Sequence, residues 1–441
     1  MPRQGKILLI GDLKLEQAKD ALIAAYLNET TLYVKSAYLT ALGKLDVREN
    51  LEFFKNRLLE VKNQQVPAEE QKHQGEEIRE LNEIILKTEG AKKHQFTGFQ
   101  MPHEMLLLTN REQREVTLSE VKEIGASVQR KAELHPLGVL VFSKEVTPFT
   151  KLRTYRELLF PIHTNERIPA MPHRAAELLW HSDLYAFLTE CHEGDAPFFF
   201  RLEVKSAEPK TEFVKKLGAS LEKKSDWKLA NSTTDYEIEI RLIEAKDGSF
   251  VPFLKLYSMK MKRFAYRKNA IAMSIHPATA AMLMYLAKPY LKENAQILDP
   301  CCGVGTMLIE RDILVPAREK YGIDIFGDAI DMARENAALA GEKINFIHRD
   351  YFDFKHDYKF DEIVTNMPVK GKKAKEDMDA FYARFFEKSK SLLAEDGIII
   401  MYSNEVGFVK KQLRLQPCYR LIQEYTIRKK DSYCLFIIGM K

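Results

Sequence analysis

No stretch of this 441-residue chain holds the ~18 consecutive apolar residues that a membrane-spanning helix needs, so a membrane protein is not expected. The start runs straight into the short apolar segment 7–10 and lacks the long apolar core of a secretory signal. Cysteines are few: five, of which only Cys301 and Cys302 are neighbours. With no CxxC pair and no spaced Cys/His set, neither a zinc site nor another metal centre is expected, and a reducing, cytoplasmic setting is the simplest one. No Ser/His/Asp or Cys/His pattern supports nucleophilic catalysis, and no internal repeat is visible. Neither sign of charge dominates; a net charge of +4 is too mild to demand a polyanionic partner.

What is there begins with length. The chain is too long for one ordinary core, so two or three domains are expected. Its basic residues are clustered. Lys260, Lys262, Arg263, Arg267 and Lys268 form one group, and Lys370, Lys372, Lys373 and Lys375 another. A single cluster of this kind is usually a solvated surface. Two that flank a candidate site point instead toward phosphate contact.

Along the chain, segment 7–10 reads as a strand and 17–27 and 47–61 as helices. Segment 76–87 carries Ile78, Leu81, Ile84 and Ile85 at helical spacing within a Glu/Gln/Lys-rich stretch, which suggests an exposed helical hairpin or arm. A helix is expected over 118–134 and a strand over 138–142. Residues 1–170 thus form a mixed N-terminal region with no evident chemistry. Over 171–268 the order is helix (173–190), strand (197–204), basic helix (210–224), and a hairpin of strands 236–243 and 250–257 about the turn Asp247-Gly248. This order predicts a small α+β domain, with helices on one face of an antiparallel sheet.

From residue 269 to 441 the pattern is α/β. A helix is expected at 277–287, with strands near 296–299, 320–324, 344–347, 361–365 and 397–402. A closing antiparallel pair follows at 420–428 and 432–440. The run Ile297-Leu298-Asp299-Pro300-Cys301-Cys302-Gly303-Val304-Gly305-Thr306 reads as a buried strand stopping at a glycine turn that opens a helix. Glycine lets backbone approach a ligand closely, and the helix start offers unpaired N–H groups. Alone this is weak. Downstream, however, Asp324, Asp350 and Asn366-Met367-Pro368-Val369 follow at intervals of 25, 26 and 16 residues from Asp299 onward. Such spacing fits successive strand–helix units with a polar residue at each strand's carboxyl end, the edge where open α/β sheets bind ligands. A nicotinamide fingerprint is excluded, because it needs a glycine where Leu308 stands.

On these residues the segment 260–441 resembles the class I S-adenosylmethionine-dependent methyltransferases. Within them it is similar to the RNA N-methyltransferases, including guanine-N2 methylases, that carry a THUMP-type RNA-binding region before the catalytic domain. Arg263-Phe264-Ala265-Tyr266-Arg267 and Ser274-Ile275-His276-Pro277-Ala278-Thr279 resemble that group's linker and first catalytic-domain helix. The α+β unit over 172–259 is similar to the THUMP-associated region, and residues 1–150 match nothing. The resemblance implies a Rossmann-like catalytic domain, a mostly parallel sheet with an antiparallel C-terminal hairpin, preceded by α+β and helical regions.

It also implies S-adenosyl-L-methionine as cofactor and structured RNA, transfer or ribosomal, as partner. Gly303 and Gly305 would let backbone approach the methionine part, and Asp299 would receive its ammonium. Asp324 would accept the ribose hydroxyls and Asp350 the adenine amine, with Tyr351 packed near the ring. Cys301 and Cys302 would be small residues of a tight turn. Asn366, Met367, Pro368 and Val369 stand where the family has Asn/Asp-x-Pro-aromatic. An exocyclic amine is a poor nucleophile because its lone pair is delocalised into the ring. The Asn366 side-chain carbonyl and the Met367 backbone carbonyl would accept its two N–H bonds and hold the nitrogen in line with the methyl group. Val369 replaces an aromatic that would stack on an extruded base; Phe352 or Tyr402 could supply that face. Arg263, Arg267 and Lys370 would meet the substrate. His276, before a helix-starting proline, reads as structural or as part of a cofactor lid. Two alternatives remain at this point: a DNA adenine or protein amide acceptor, and a non-catalytic RNA-binding protein on the same scaffold.

Overall fold

The structure is a computed structural model describing residues 3–67, 69–89, 93–125, 131–194, 197–369 and 375–441. The chain divides into two compact units that interleave along the sequence, rather than following one another. One comprises residues 1–97 with 162–258, the other 98–161 with 259–441.

In the first unit, helices Arg3–Asp12, Lys19–Asn28, Leu32–Leu42, Leu51–Asn63 and Gln71–Glu89 share a core that includes Leu22, Leu39, Leu42, Phe54 and Leu81. Segment 7–10 is therefore helix, not strand; four apolar residues are too few for periodicity to decide. Gly11 permits the close crossing of helix Arg3–Asp12 over Leu32–Leu42, since a Cβ there would come within 2.6 Å of Ala41 Cα. Nor is 76–87 an exposed arm. Ile78, Leu81 and Ile84 are buried, and Glu77 accepts hydrogen bonds from Tyr26 Oη at 2.5 Å and Arg57 at 3.2 Å. The same unit holds four neighbouring strands in the order Phe250–Leu256, Ile238–Glu244, Phe198–Lys205, Leu229–Asn231. The expected hairpin is antiparallel, but Phe198–Lys205 runs parallel to both its neighbours. The sheet is mixed because helix Thr211–Lys224 is a crossover between two parallel strands.

In the second unit, residues 98–161 supply four antiparallel strands ordered Lys131–His135, Gly138–Ser143, His103–Leu108, Glu157–Pro161, and the helix Arg114–Glu123. The helix expected over 118–134 is thus a shorter helix and a strand, with 126–130 outside the described residues.

The rest of this unit is a seven-stranded α/β sheet. Its strands are β1 (Gln296–Asp299), β2 (Glu319–Asp324), β3 (Asn345–His348), β4 (Phe360–Asn366), β5 (Leu393–Ser403), β6 (Tyr419–Arg428) and β7 (Tyr433–Met440). Its helices are α1 (Pro277–Ala287), α2 (Thr306–Leu314), α3 (Gly327–Ala340), α4 (Lys375–Leu392) and α5 (Val406–Leu415). The spatial order is β3-β2-β1-β4-β5-β7-β6. Strands β1 to β5 are parallel, and β7 runs antiparallel to β5 and β6. Central strands are apolar on both faces, as a sheet covered by helices requires; Leu298, Ile363, Ile399 and Ile437 are fully buried. Strand order reverses between β1 and β4, which opens a crevice at the carboxyl ends of the strands.

Candidate active site

A cavity of about 610 Å³ lies at that crevice. Strand β1 ends in Asp299, 1% exposed, whose Oδ1 accepts the Cys301 amide N–H at 3.0 Å. Burial, with the Asp324 carboxylate nearby, pushes the Asp299 carboxyl up to about 8, against the Cys301 hydrogen bond. The backbone then turns through Gly303 (φ 51°) and Gly305 (φ 82°), left-handed conformations that glycine adopts without strain. A Cβ on Gly305 would also come within 2.9 Å of the Phe346 ring. Helix α2 starts at the next residue. Strand β2 ends in Asp324. Its Oδ2 accepts the Gly303 N–H at 2.8 Å and its Oδ1 the Phe326 N–H at 3.0 Å. Strand β4 ends in Asn366, half-buried; among the described residues, none hydrogen-bonds its side-chain amide.

Asp299, Cys301, Gly303, Asp324, Asn366, Pro368 and Val369 all line this one cavity, as does Cys302. Cys302 is buried, and its thiol is held far above the usual range by desolvation, as suits a packing residue rather than a nucleophile. Gly305 sits behind the lining, against Phe346. Met367 donates its amide N–H to the Tyr402 carbonyl at 2.9 Å, and its side chain is buried in the core.

Other expected residues lie elsewhere. Asp350 is exposed, and its carboxylate is turned back to cap the Phe352 amide at 2.9 Å. Tyr351 is withdrawn into the core with its hydroxyl 2.9 Å from Ser389 Oγ, so its ring is not free to lie against an adenine. Arg263 is not a phosphate ligand in waiting. Its guanidinium lies 3.6 Å over the Tyr155 ring and donates to the carbonyls of Leu152, Tyr155 and Arg156 at 2.6–2.9 Å. Arg267 donates to the Ile275 carbonyl at 3.3 Å. Lys370 lies outside the described residues. His276 caps α1, its Nδ1 accepting the Ala278 N–H at 3.1 Å. Burial and three arginines (156, 267 and 263) push it down to about 4. Phe352 lies under the Arg384 guanidinium at 3.9 Å, and Tyr402 stacks on Tyr433 at 4.8 Å. Neither faces the cavity.

Sequence reasoning gave no individual site role to several lining residues. Ile271, Met273, Ser274, Ile275, Thr306 and Phe326 also line the cavity. Phe326 is 64% exposed, and its only signal was its place two residues after Asp324. Thr306 Oγ1 is buried and, among the described residues, has no hydrogen-bond partner.

These groups suit one class of ligand. A buried carboxylate fits an ammonium, a second carboxylate held at a strand tip fits hydroxyls, and an unpartnered hydroxyl at a helix start fits a carboxylate. Apolar side chains around them fit a flat or aliphatic body. Residues 265–430 match the UPF0020 family, described as an RMKL-like, methyltransferase domain. The matched region has the class I S-adenosylmethionine-dependent methyltransferase fold. Over 162 residues the chain is 33% identical to a tRNA (guanine(10)-N2)-dimethyltransferase of Methanothermobacter thermautotrophicus, covering 36% of this chain and 46% of that protein. Over 196 residues it is 25% identical to a ribosomal protein L11 methyltransferase of Thermotoga petrophila, covering 41% and 64%. The chain thus spans less than two thirds of either curated relative. Among solved structures, TrmN from Thermus thermophilus aligns with a TM-score of 0.55 at 19% identity, over 77% of this chain and 99% of that one. That fold likeness therefore reaches beyond the methyltransferase domain.

Proposed function

We propose that the protein transfers a methyl group from S-adenosylmethionine to an exocyclic base nitrogen of a structured RNA, with guanine N2 of transfer or ribosomal RNA as the acceptor. The observation that carries this reading is Asn366. Its side-chain amide, unengaged among the described residues, stands at the tip of β4, in the same cavity as Asp299 and Asp324. The bound cofactor supplies an electrophilic methyl on a sulfonium. The protein's task is then positioning, because a neutral amine aimed at a sulfonium methyl needs orientation more than a strong base. The Asn366 Oδ1 accepts one N–H of the amine and the Met367 carbonyl the other. The hydrogen bond from the Met367 N–H to the Tyr402 carbonyl and the ring of Pro368 stiffen this loop. Asp299 meets the ammonium, Asp324 the ribose hydroxyls, and Phe326 offers an exposed ring for the adenine. A guanine N2 acceptor is favoured by the archaeal relative, whose name specifies that atom.

Val369 favours a second reading. An aliphatic residue in place of an aromatic suits a protein side chain as acceptor, and a ribosomal protein is the substrate named for the L11 relative. Asn366→Ala tests the shared core of both. It is expected to reduce transfer by at least 100-fold while cofactor binding, read by calorimetry, stays within about threefold. Normal methylation by that variant overturns the role given to Asn366.

A further inference from the structure

Asn336 lies on α3, and its side chain is fully buried. Oδ1 accepts the Asn269 amide N–H at 3.0 Å. Nδ2 uses both of its hydrogens, donating to the Asn269 carbonyl at 3.0 Å and the Val304 carbonyl at 3.2 Å. Val304 stands between the two left-handed glycines. In a trans peptide the C=O and N–H point in opposite directions. The Val304–Gly305 peptide is therefore held at one edge by Asn336. At the other edge the Gly305 N–H donates to the Cys302 carbonyl at 2.9 Å. Asn269, in turn, opens the segment whose Ile271, Met273, Ser274 and Ile275 cover the cavity. Asn269 is tied a second time, through Nδ2 to Glu335 Oε2 at 2.8 Å. Just before it, Tyr266 donates its hydroxyl to Glu310 on α2 at 2.5 Å.

One side chain thus joins two walls of the cavity, the glycine loop and the covering segment, while touching neither the cavity nor its lining acids. We propose that Asn336 is a positioning residue for cofactor binding, locking segment 269–275 and loop 302–306 into one unit that tightens together when the cavity is filled. This rests on the methyltransferase reading of the cavity. The residue type follows from the bond pattern. An aspartate of the same shape would set an oxygen against two carbonyls, and alanine would lose all three bonds.

The test uses the full chain, with S-adenosylhomocysteine as probe and hydrogen exchange and calorimetry as readouts. In the unaltered protein the probe is expected to slow exchange in 269–275 and 302–306 together. In Asn336→Asp the Kd is expected to rise at least tenfold. At saturation protection should persist at 302–306 and disappear from 269–275; Asn336→Ala should behave alike. A purely structural role would lower Tm and raise exchange in both segments without separating them, and that result overturns the proposal. So does protection of 269–275 that survives in both variants with Kd unchanged. If the variants fail to fold, the unaltered protein still decides, since probe binding that leaves 269–275 unprotected contradicts the coupling. No probe binding at all would fell the methyltransferase reading itself, and the proposal with it.

Discussion

Asp324 Oδ2 accepts the amide N–H of Gly303 at 2.8 Å, so the tip of β2 holds the turn that follows β1. The same carboxylate that is proposed to grip the cofactor's ribose therefore also shapes the glycine loop. Asp324→Ala removes both. A hydrogen bond to a charged acceptor is worth about 1.5–3 kcal/mol, so the loss of even one raises the Kd for S-adenosylmethionine on the order of 10- to 100-fold, and a rise of at least that size is expected. Asp324→Asn, which keeps one acceptor oxygen, should lose less. Calorimetry on both variants reads the difference; equal affinities for all three proteins would remove Asp324 from the cofactor site.

Asp299 makes a pH prediction. Its carboxyl is pushed up to about 8 by burial, so with no cation beside it the group holds its proton at pH 7. Between about pH 4 and pH 8 the folded state binds a proton that the unfolded chain has released, and this group's contribution to stability falls as pH rises through that window. An ammonium brought against Asp299 selects the ionised form. Binding at pH 7 should therefore release a proton, and affinity should rise with pH up to about 8 and then level off. Calorimetry in two buffers of different ionisation enthalpy measures the release. Asp299→Asn should abolish the release and weaken binding; an unaltered buffer dependence in that variant would contradict the assignment.

Arg263 was legible as part of a basic linker, but its partners were not. Its charge is spent on three carbonyls and the Tyr155 ring. Arg263→Met should cost about 2–4 kcal/mol of stability and lower Tm by several degrees. It should leave the salt dependence of RNA binding unchanged, because no phosphate contact is lost. A shallower salt slope with Tm intact would restore it to the RNA interface.

Much of the site was readable because it follows local rules. Asp299, Asp324 and Asn366 stand at the ends of three parallel strands, and a buried strand followed by a polar residue is a short-range signal. What failed was non-local. Tyr351 is expected beside an adenine ring, but its hydroxyl lies 2.9 Å from Ser389 Oγ on α4 and the side chain is buried. Segment 76–87 is polar enough to read as solvated, and only Tyr26 and Arg57, distant in sequence, explain its burial. Asn336 carried no motif at all. Its importance comes from Asn269 and Val304, which the fold alone brings together.

Val369 separates the two acceptor readings. Base–aromatic stacking is worth about 1–3 kcal/mol, so with a flipped base as substrate, Val369→Tyr should lower KM for RNA several-fold. With a protein side chain as substrate it should bring no gain. Steady-state kinetics on RNA and protein acceptors distinguish them.

On the proposed reading, a base nitrogen is methylated in the cavity at the tips of β1, β2 and β4. The most direct test of that reading is incubation of the full chain with labelled S-adenosylmethionine and unmodified transfer or ribosomal RNA, followed by identification of the labelled nucleoside. The account predicts N2-methylguanosine, absent with Asn366→Ala. Label confined to protein, or methylation at a ring carbon or ribose hydroxyl, would contradict it.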